Sequence, residues 1–209
     1  MAWLKKLLGR DDRFFNLLEA SAEEGRAGVR LVARLLRRPD QVASLDEVHQ
    51  ARRRDKEIHE VISAHVARTF VSALDREDVE ALSVVLHRIP KTAEKIAGRF
   101  LLCHAELADV DFAPYAEVLE RGADHVWERV AELRQLGNID RIEEQNAELS
   151  RLEDAANGWL LRLIQHVHAR PREIPQLIVL RDLCRFLERL MDRYVEVSEV
   201  VTQIVLKNT

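Results

Sequence analysis

Apolar residues recur three and four positions apart through almost the whole chain, the spacing that lines one face of an α-helix. Phe15, Leu18, Val29, Val32 and Leu36 mark a first helix from about Asp12 to Arg37. It stops before Pro39, because proline disfavours a helical conformation in the residue preceding it. Leu45, Ile58, Ile62, Val66 and Phe70 mark a second helix, from about Gln41 to Ala73, whose middle, QARRRDKEIHE, is almost wholly polar. A third starts at the charged knot Asp75, Arg76, Glu77 and Asp78 and runs through Leu82, Leu86, Ile89, Ala93, Ile96 and Phe100. Pro90 lies inside it and predicts a kink.

After the break ADVDFAP the pattern resumes with Val118, Val126, Val130 and Leu133, a fourth helix from about Pro114 to Leu136 that ends at Gly137 and Asn138. The fifth, about Ile139 to His168, carries Ile142, Leu149, Leu152, Leu160, Leu163 and Ile164 inward. The sixth follows the breaker ARPREIP, from about Pro175 to Val205, with Leu180, Leu183, Leu187, Leu190, Tyr194 and Ile204 inward.

Three helices followed by three suggest a duplication. Sliding the third helix onto the sixth pairs Glu94 with Glu188, Lys95 with Arg189 and Arg99 with Arg193, and sliding the second onto the fifth pairs Ile58 with Leu160 and Ile62 with Ile164. Apolar matches follow from periodicity alone, so the charged matches carry the independent weight. The expected fold is all-α: one domain over 1–209 of six long antiparallel helices, as two repeated three-helix bundles (about 11–108 and 112–207).

Composition agrees. The chain is 47% hydrophobic and 33% charged with only 7 Gly and 5 Pro, too few turn residues for an all-β fold. A net charge of -4 gives no electrostatic footprint for nucleic acid. Cys103 and Cys184 lie far apart in apolar helical stretches and read as buried thiols of a reducing cytoplasm. Trp3, Leu4, Leu7 and Leu8 with Lys5 and Lys6 suit a peripheral membrane contact, or a tail packed back on the first helix.

Motifs for catalysis are absent: there is no G-x-S-x-G, P-loop, G-x-G-x-x-G or H-E-x-x-H. Acidic residues four apart share a helix face and can hold a cation with a neighbouring helix. Glu188 and Asp192 form such a pair, Glu153 with Asn157 a weaker one, and Asp182 lies one and a half turns before Glu188. The bland alternative is that these carboxylates face water or pair with arginine.

The blocks RFFNLLEASAEE (Arg13 to Glu24), ARTFVSALDREDVEALS (Ala67 to Ser83), RLE (Arg151 to Glu153), LERLMDR and the closing IVLKN together resemble the PhoU-like family, in particular the accessory proteins of Pit-type inorganic phosphate transporters. The resemblance implies a non-enzymatic cytoplasmic regulator that contacts such a transporter, and a homo-oligomer. It also implies a metal site in each repeat, built from E-x-x-x-D pairs for a divalent or iron-type ion. In the first repeat the matching positions hold Ala51, Asp55, His87, Arg88 and Lys91, so that site reads as lost. In the second, Glu153, Asp182, Glu188 and Asp192 remain as candidate ligands. Arg52, Arg53, Arg54, Arg88 and Lys91 suggest a basic patch for an anion or an acidic partner, or more simply a solvated face paired with Glu57 and Glu60. An enzyme acting on phosphate esters is the remaining class. The knot itself reads as a helix start, with Asp75 capping and Asp78 three residues on, as in a capping box.

Overall fold

The computed structural model describes residues 13–38, 45–67, 74–135, 139–169 and 171–208. Its six long helices are α1 (Arg13–Arg37), α2 (Asp46–Val66), α3 (Arg76–Cys103), α4 (Ala113–Glu132), α5 (Ile139–His168) and α6 (Ile174–Lys207). Short 3-10 turns follow α3 (His104–Leu107) and α4 (Leu133–Gln135). No strand occurs among the described residues. Phe70, the Trp3 to Leu8 segment and the Gly137–Asn138 stop lie outside the described residues, as do the outer ends expected for the second helix.

Helices α1, α2 and α3 pack on one another as one bundle, and α4, α5 and α6 as a second. Extensive packing of α1 on α4 and of α3 on α6 joins the two bundles. α2 and α5 thus lie outside a central layer of α1, α3, α4 and α6. This placement explains the polar middle of α2: only one stripe need be buried, and Val48, Ala51, Ile58, Ile62 and Val66 form it with Asp55 among them. Nearly all expected core residues are buried, among them Phe15, Val32, Leu86, Phe100, Val126, Leu152 and Leu187. Ile164 is not. It is exposed near the end of α5, where it lines a groove with Leu177 and Cys184 of α6.

The bundles are also tied at the α3–α4 connection by aromatic rings. Phe100 meets Phe112 edge-on at 5.1 Å, and Trp159 of α5 lies 5.0 Å from Phe112 and 4.7 Å from Tyr115. α3 continues as a helix through Pro90, which lacks the N–H that would bond Leu86. Pro90 and Ile89 pack against Gly25 of α1, where a Cβ would meet Ile89 Cγ2 at 3.3 Å.

The charged knot differs from expectation. Asp75 has the extended backbone of a capping residue but makes no side-chain cap. Lys207, from the last turn of α6, instead donates to Asp78 at 2.8 Å and lies 3.9 Å from Asp75. Asp78 is buried, and a charge-assisted bond to lysine outweighs a cap there. The knot therefore fastens the α2–α3 corner to the end of α6.

Candidate functional site: the two faces of α6

The four candidate metal ligands do not converge. Glu188 and Asp192 share a face, but Asp182, six positions before Glu188, is turned about 120° away. Glu153 stands half-buried on α5 in an open groove of about 500 Å³ between α5 and α6, with Asn146, Ser198, Glu199 and Thr202. Burial, then the charges of Asp192, Asp154 and Glu199, raise its carboxyl above the usual range. Glu188 lines a different groove, about 310 Å³, with Ile164, Leu177, Arg181, Cys184 and Arg185. Cys184 is half-buried rather than buried, and burial pushes its thiol up to about 11, so it stays protonated. Among the described residues no three His, Cys, Asp or Glu side chains lie close enough to hold a metal ion.

The proposed basic patch is divided. Arg52 turns inward, 3.7 Å from Asp55 and 3.3 Å from the His87 ring. Asp55 is fully buried and accepts from Ser21 Oγ at 2.8 Å, with His87 Nδ1 at 2.7 Å. His59 stacks on His87 at 4.6 Å and meets Ser83 Oγ at 2.8 Å. This polar cluster joins all three helices of the first bundle at the position where the family resemblance expects a metal, and here Arg52 and His87 face the carboxylate instead. Arg54 pairs with Glu24 at 2.7 Å and Arg88 with Glu196 at 3.0 Å, so neither is paired with Glu57 or Glu60. Arg53 and Lys91 are exposed.

Lys91 belongs to a larger feature that patch-by-motif reasoning missed. Lys91, Lys95 and Arg99 follow one another at four-residue spacing on α3, and Arg181, Arg185, Arg189 and Arg193 do so on the antiparallel α6. Phe186 lies where the rows meet: Lys95 is 5.3 Å from its ring centroid, and Arg99 and Arg189 are each 5.9 Å away. Of these cations, Arg193 pairs with Glu196. Lys91, Lys95, Arg99, Arg185 and Arg189 have no carboxylate within ion-pair distance among the described residues. Each like-charge pair at this spacing costs a helix about 0.2–0.5 kcal/mol. The fold thus carries a repulsive basic seam where Lys95, Arg99 and Arg189 meet at Phe186, while Arg181 and Arg185 share the groove toward α5 with Glu188. The four-residue spacing was the available signal; the pairing of α3 with α6 was not.

Inside the second bundle, Arg129 is buried and, among the described residues, bonds neutral acceptors: Gln145 Oε1 at 2.6 Å, Thr202 Oγ1 at 2.7 Å and the Ser198 carbonyl at 3.1 Å. Burial lowers its pKa, the Glu132 charge acting in the opposite direction. Its place is structural, a polar clamp across α4, α5 and α6.

No known family profile matches the sequence, and no curated protein matches it. Solved structures do. The crystal structure of a PhoU-like protein from Shewanella oneidensis MR-1 matches with a TM-score of 0.80 at 14% identity, covering 93% of this chain and 99% of that one. A second from the same organism, named as a PhoU-like phosphate regulatory protein, matches with a TM-score of 0.79 at 15% identity and the same coverage. Over nearly its whole length the chain has the PhoU-like fold.

Proposed function

We propose that this chain is a non-enzymatic cytoplasmic regulator of inorganic phosphate transport that docks a helical face on a Pit-type membrane transporter, and that it works as a homo-oligomer. The observation carrying this reading is the likeness along 93% of the chain to a protein named as a PhoU-like phosphate regulatory protein. The sequence blocks described above add the Pit-type accessory proteins to that resemblance. No helix among the described residues is long and apolar enough to cross a membrane, so transport itself would belong to the partner. The test is capture of tagged protein from detergent extracts of cells that co-express a Pit-type transporter. Recovery of the transporter with the chain is expected; a clean pull-down without it overturns the reading.

A second reading, a cation sensor, is favoured by one observation: the pKa of the Glu153 carboxyl, raised first by burial, is raised further by its acidic neighbour Asp192. A divalent or iron-type ion between them would relieve that repulsion. Two carboxylates make a weak site, and the measurement that decides it is given in the Discussion.

A further inference from the structure

We infer that the α3–α6 seam and the α5–α6 tip together form a docking surface for an anionic lipid bilayer. This does not depend on which transporter the protein regulates. Large hydrophobic side chains left exposed are few among the described residues, and all but Leu206 gather at one end of the molecule. On the α5–α6 hairpin Ile174 is 74% exposed, Leu161 57% and Ile178 51%. Leu102 on α3 is 66% exposed. The antiparallel register set by Arg88 with Glu196 and Lys95 with Phe186 brings Leu102 level with the Val179 to Leu183 turn of α6, beside that hairpin.

The basic seam runs into this apolar end. Arg181 and Arg185, with Glu188, rim the groove that holds Ile164 and Leu177, and Arg189 links them to Lys95 and Arg99 across Phe186. The chain carries a net charge of -4, so an anionic surface would not attract it as a whole. At physiological salt charges act over only about 8 Å, so a bilayer meets the seam and not the acids on remote faces. Asp182, Glu188 and Glu196 lie beside the seam, Glu188 in the groove with Arg181 and Arg185 and Glu196 already held by Arg88 and Arg193, so the net positive charge is greatest where Lys95, Arg99 and Arg189 meet at Phe186. Aliphatic tips with arginine and lysine behind them match the apolar and phosphate layers of a bilayer. A protein partner would need a matched shape, whereas these tips protrude from three separate helix ends. Among the described residues Lys95, Arg99, Arg185 and Arg189 have no carboxylate within ion-pair distance, as suits mobile headgroups.

Co-sedimentation of the full chain with protein-free vesicles tests this. Binding to phosphatidylcholine vesicles containing about one-third phosphatidylglycerol is expected, with none to pure phosphatidylcholine and release at high salt. Lys95→Glu with Arg99→Glu should weaken binding more than tenfold, at about fivefold for each cation removed. Ile174→Asp with Ile178→Asp should abolish it. Lys56→Glu with Arg151→Glu, an equal charge change elsewhere on the surface, should weaken it far less. All these positions are exposed or half-buried, and unchanged circular dichroism and thermal midpoint show that each variant folds. Absence of binding to the anionic vesicles, or equal loss in the seam and control variants, overturns the proposal. So does binding only when a transporter is embedded, or an Ile174/Ile178-dependent dimer without lipid binding, each of which assigns the surface to protein. Vesicle binding by a chain that captures no transporter in detergent would uphold this surface and remove the functional reading alone.

Discussion

A Cβ added to Gly122 would sit 2.4 Å from the ring of Tyr194, which is fully buried and donates its hydroxyl to the Leu119 carbonyl at 3.0 Å. The two residues set how closely α4 and α6 approach. Gly122→Ala forces a ring with nowhere to go and should destabilise the fold by about 1–3 kcal/mol. Tyr194→Phe keeps the ring, loses one hydrogen bond and should cost about 1 kcal/mol. Combining them should not rescue Gly122→Ala, since the clash is with ring carbons. Gly98, by contrast, has open space around it. Gly98→Ala should stabilise by up to about 1 kcal/mol through helix propensity. Urea midpoints of the four variants order them, and a neutral Gly122→Ala would mean that the α4–α6 packing yields.

Asp55 makes a second specific demand. Its carboxylate is fully buried and served by Ser21 and His87, with Arg52 beyond. Asp55→Ala leaves those groups without their acceptor and should cost about 3–5 kcal/mol, the scale for breaking a buried charge pair. Asp55→Asn retains an acceptor for Ser21 and should cost less. If denaturant melts show Asp55→Ala to be as stable as the parent, the cluster does not hold the first bundle together.

These two cases mark what the sequence could and could not disclose. Helix positions were legible because periodicity reports one apolar face, and the buried stripes at Leu82 to Phe100 and Leu180 to Tyr194 followed from it. Asp55 and Arg129 were not placed inside, since a charged residue on a buried stripe looks like a gap in the pattern until its partners are known. Those partners, Ser21 and His87 for one and Gln145 and Thr202 for the other, lie on different helices. Lys207 was equally hidden: it meets the knot at Asp78 from 129 residues further along the chain. Lys95 and Arg189, matched as repeat equivalents, flank the same phenylalanine, a contact that equivalence in a repeat does not imply.

Stability should fall on the acid side of neutrality. Burial, then Arg129, lower the pKa of His125, with Glu148 and Glu132 opposing. Burial, then His87, lower that of His59, against Asp55 and Glu60. Both imidazoles are held neutral in the fold, while the unfolded chain titrates them near about 6.5. Below that pH the unfolded state gains protons that the folded state refuses, so stability is fully present above it and declines as pH falls through the folded pKa values. The thermal midpoint should be flat from about pH 8 to 7 and decline from about 6.5 downward. His59→Gln with His125→Gln should flatten the first part of that decline. Identical profiles for parent and double variant would assign the acid sensitivity elsewhere.

Glu153 has the opposite sign. Its folded pKa is raised, first by burial and then by Asp192, so its ionisation is disfavoured in the fold and stability drops as pH rises from the unfolded value through the folded one. Glu153→Gln should therefore raise the thermal midpoint at neutral pH and leave it unchanged below about pH 4, where the carboxyl is protonated in both states. The same variant decides the cation reading. A divalent ion that binds only the folded state raises the midpoint with its concentration. If Glu153 and Asp192 hold it, titrating manganese, zinc or ferrous iron should raise the midpoint of the parent and leave Glu153→Gln with Asp192→Asn unmoved. Equal shifts in both proteins, or none in either, would leave the Glu153–Asp192 repulsion unrelieved by metal and remove the sensor reading.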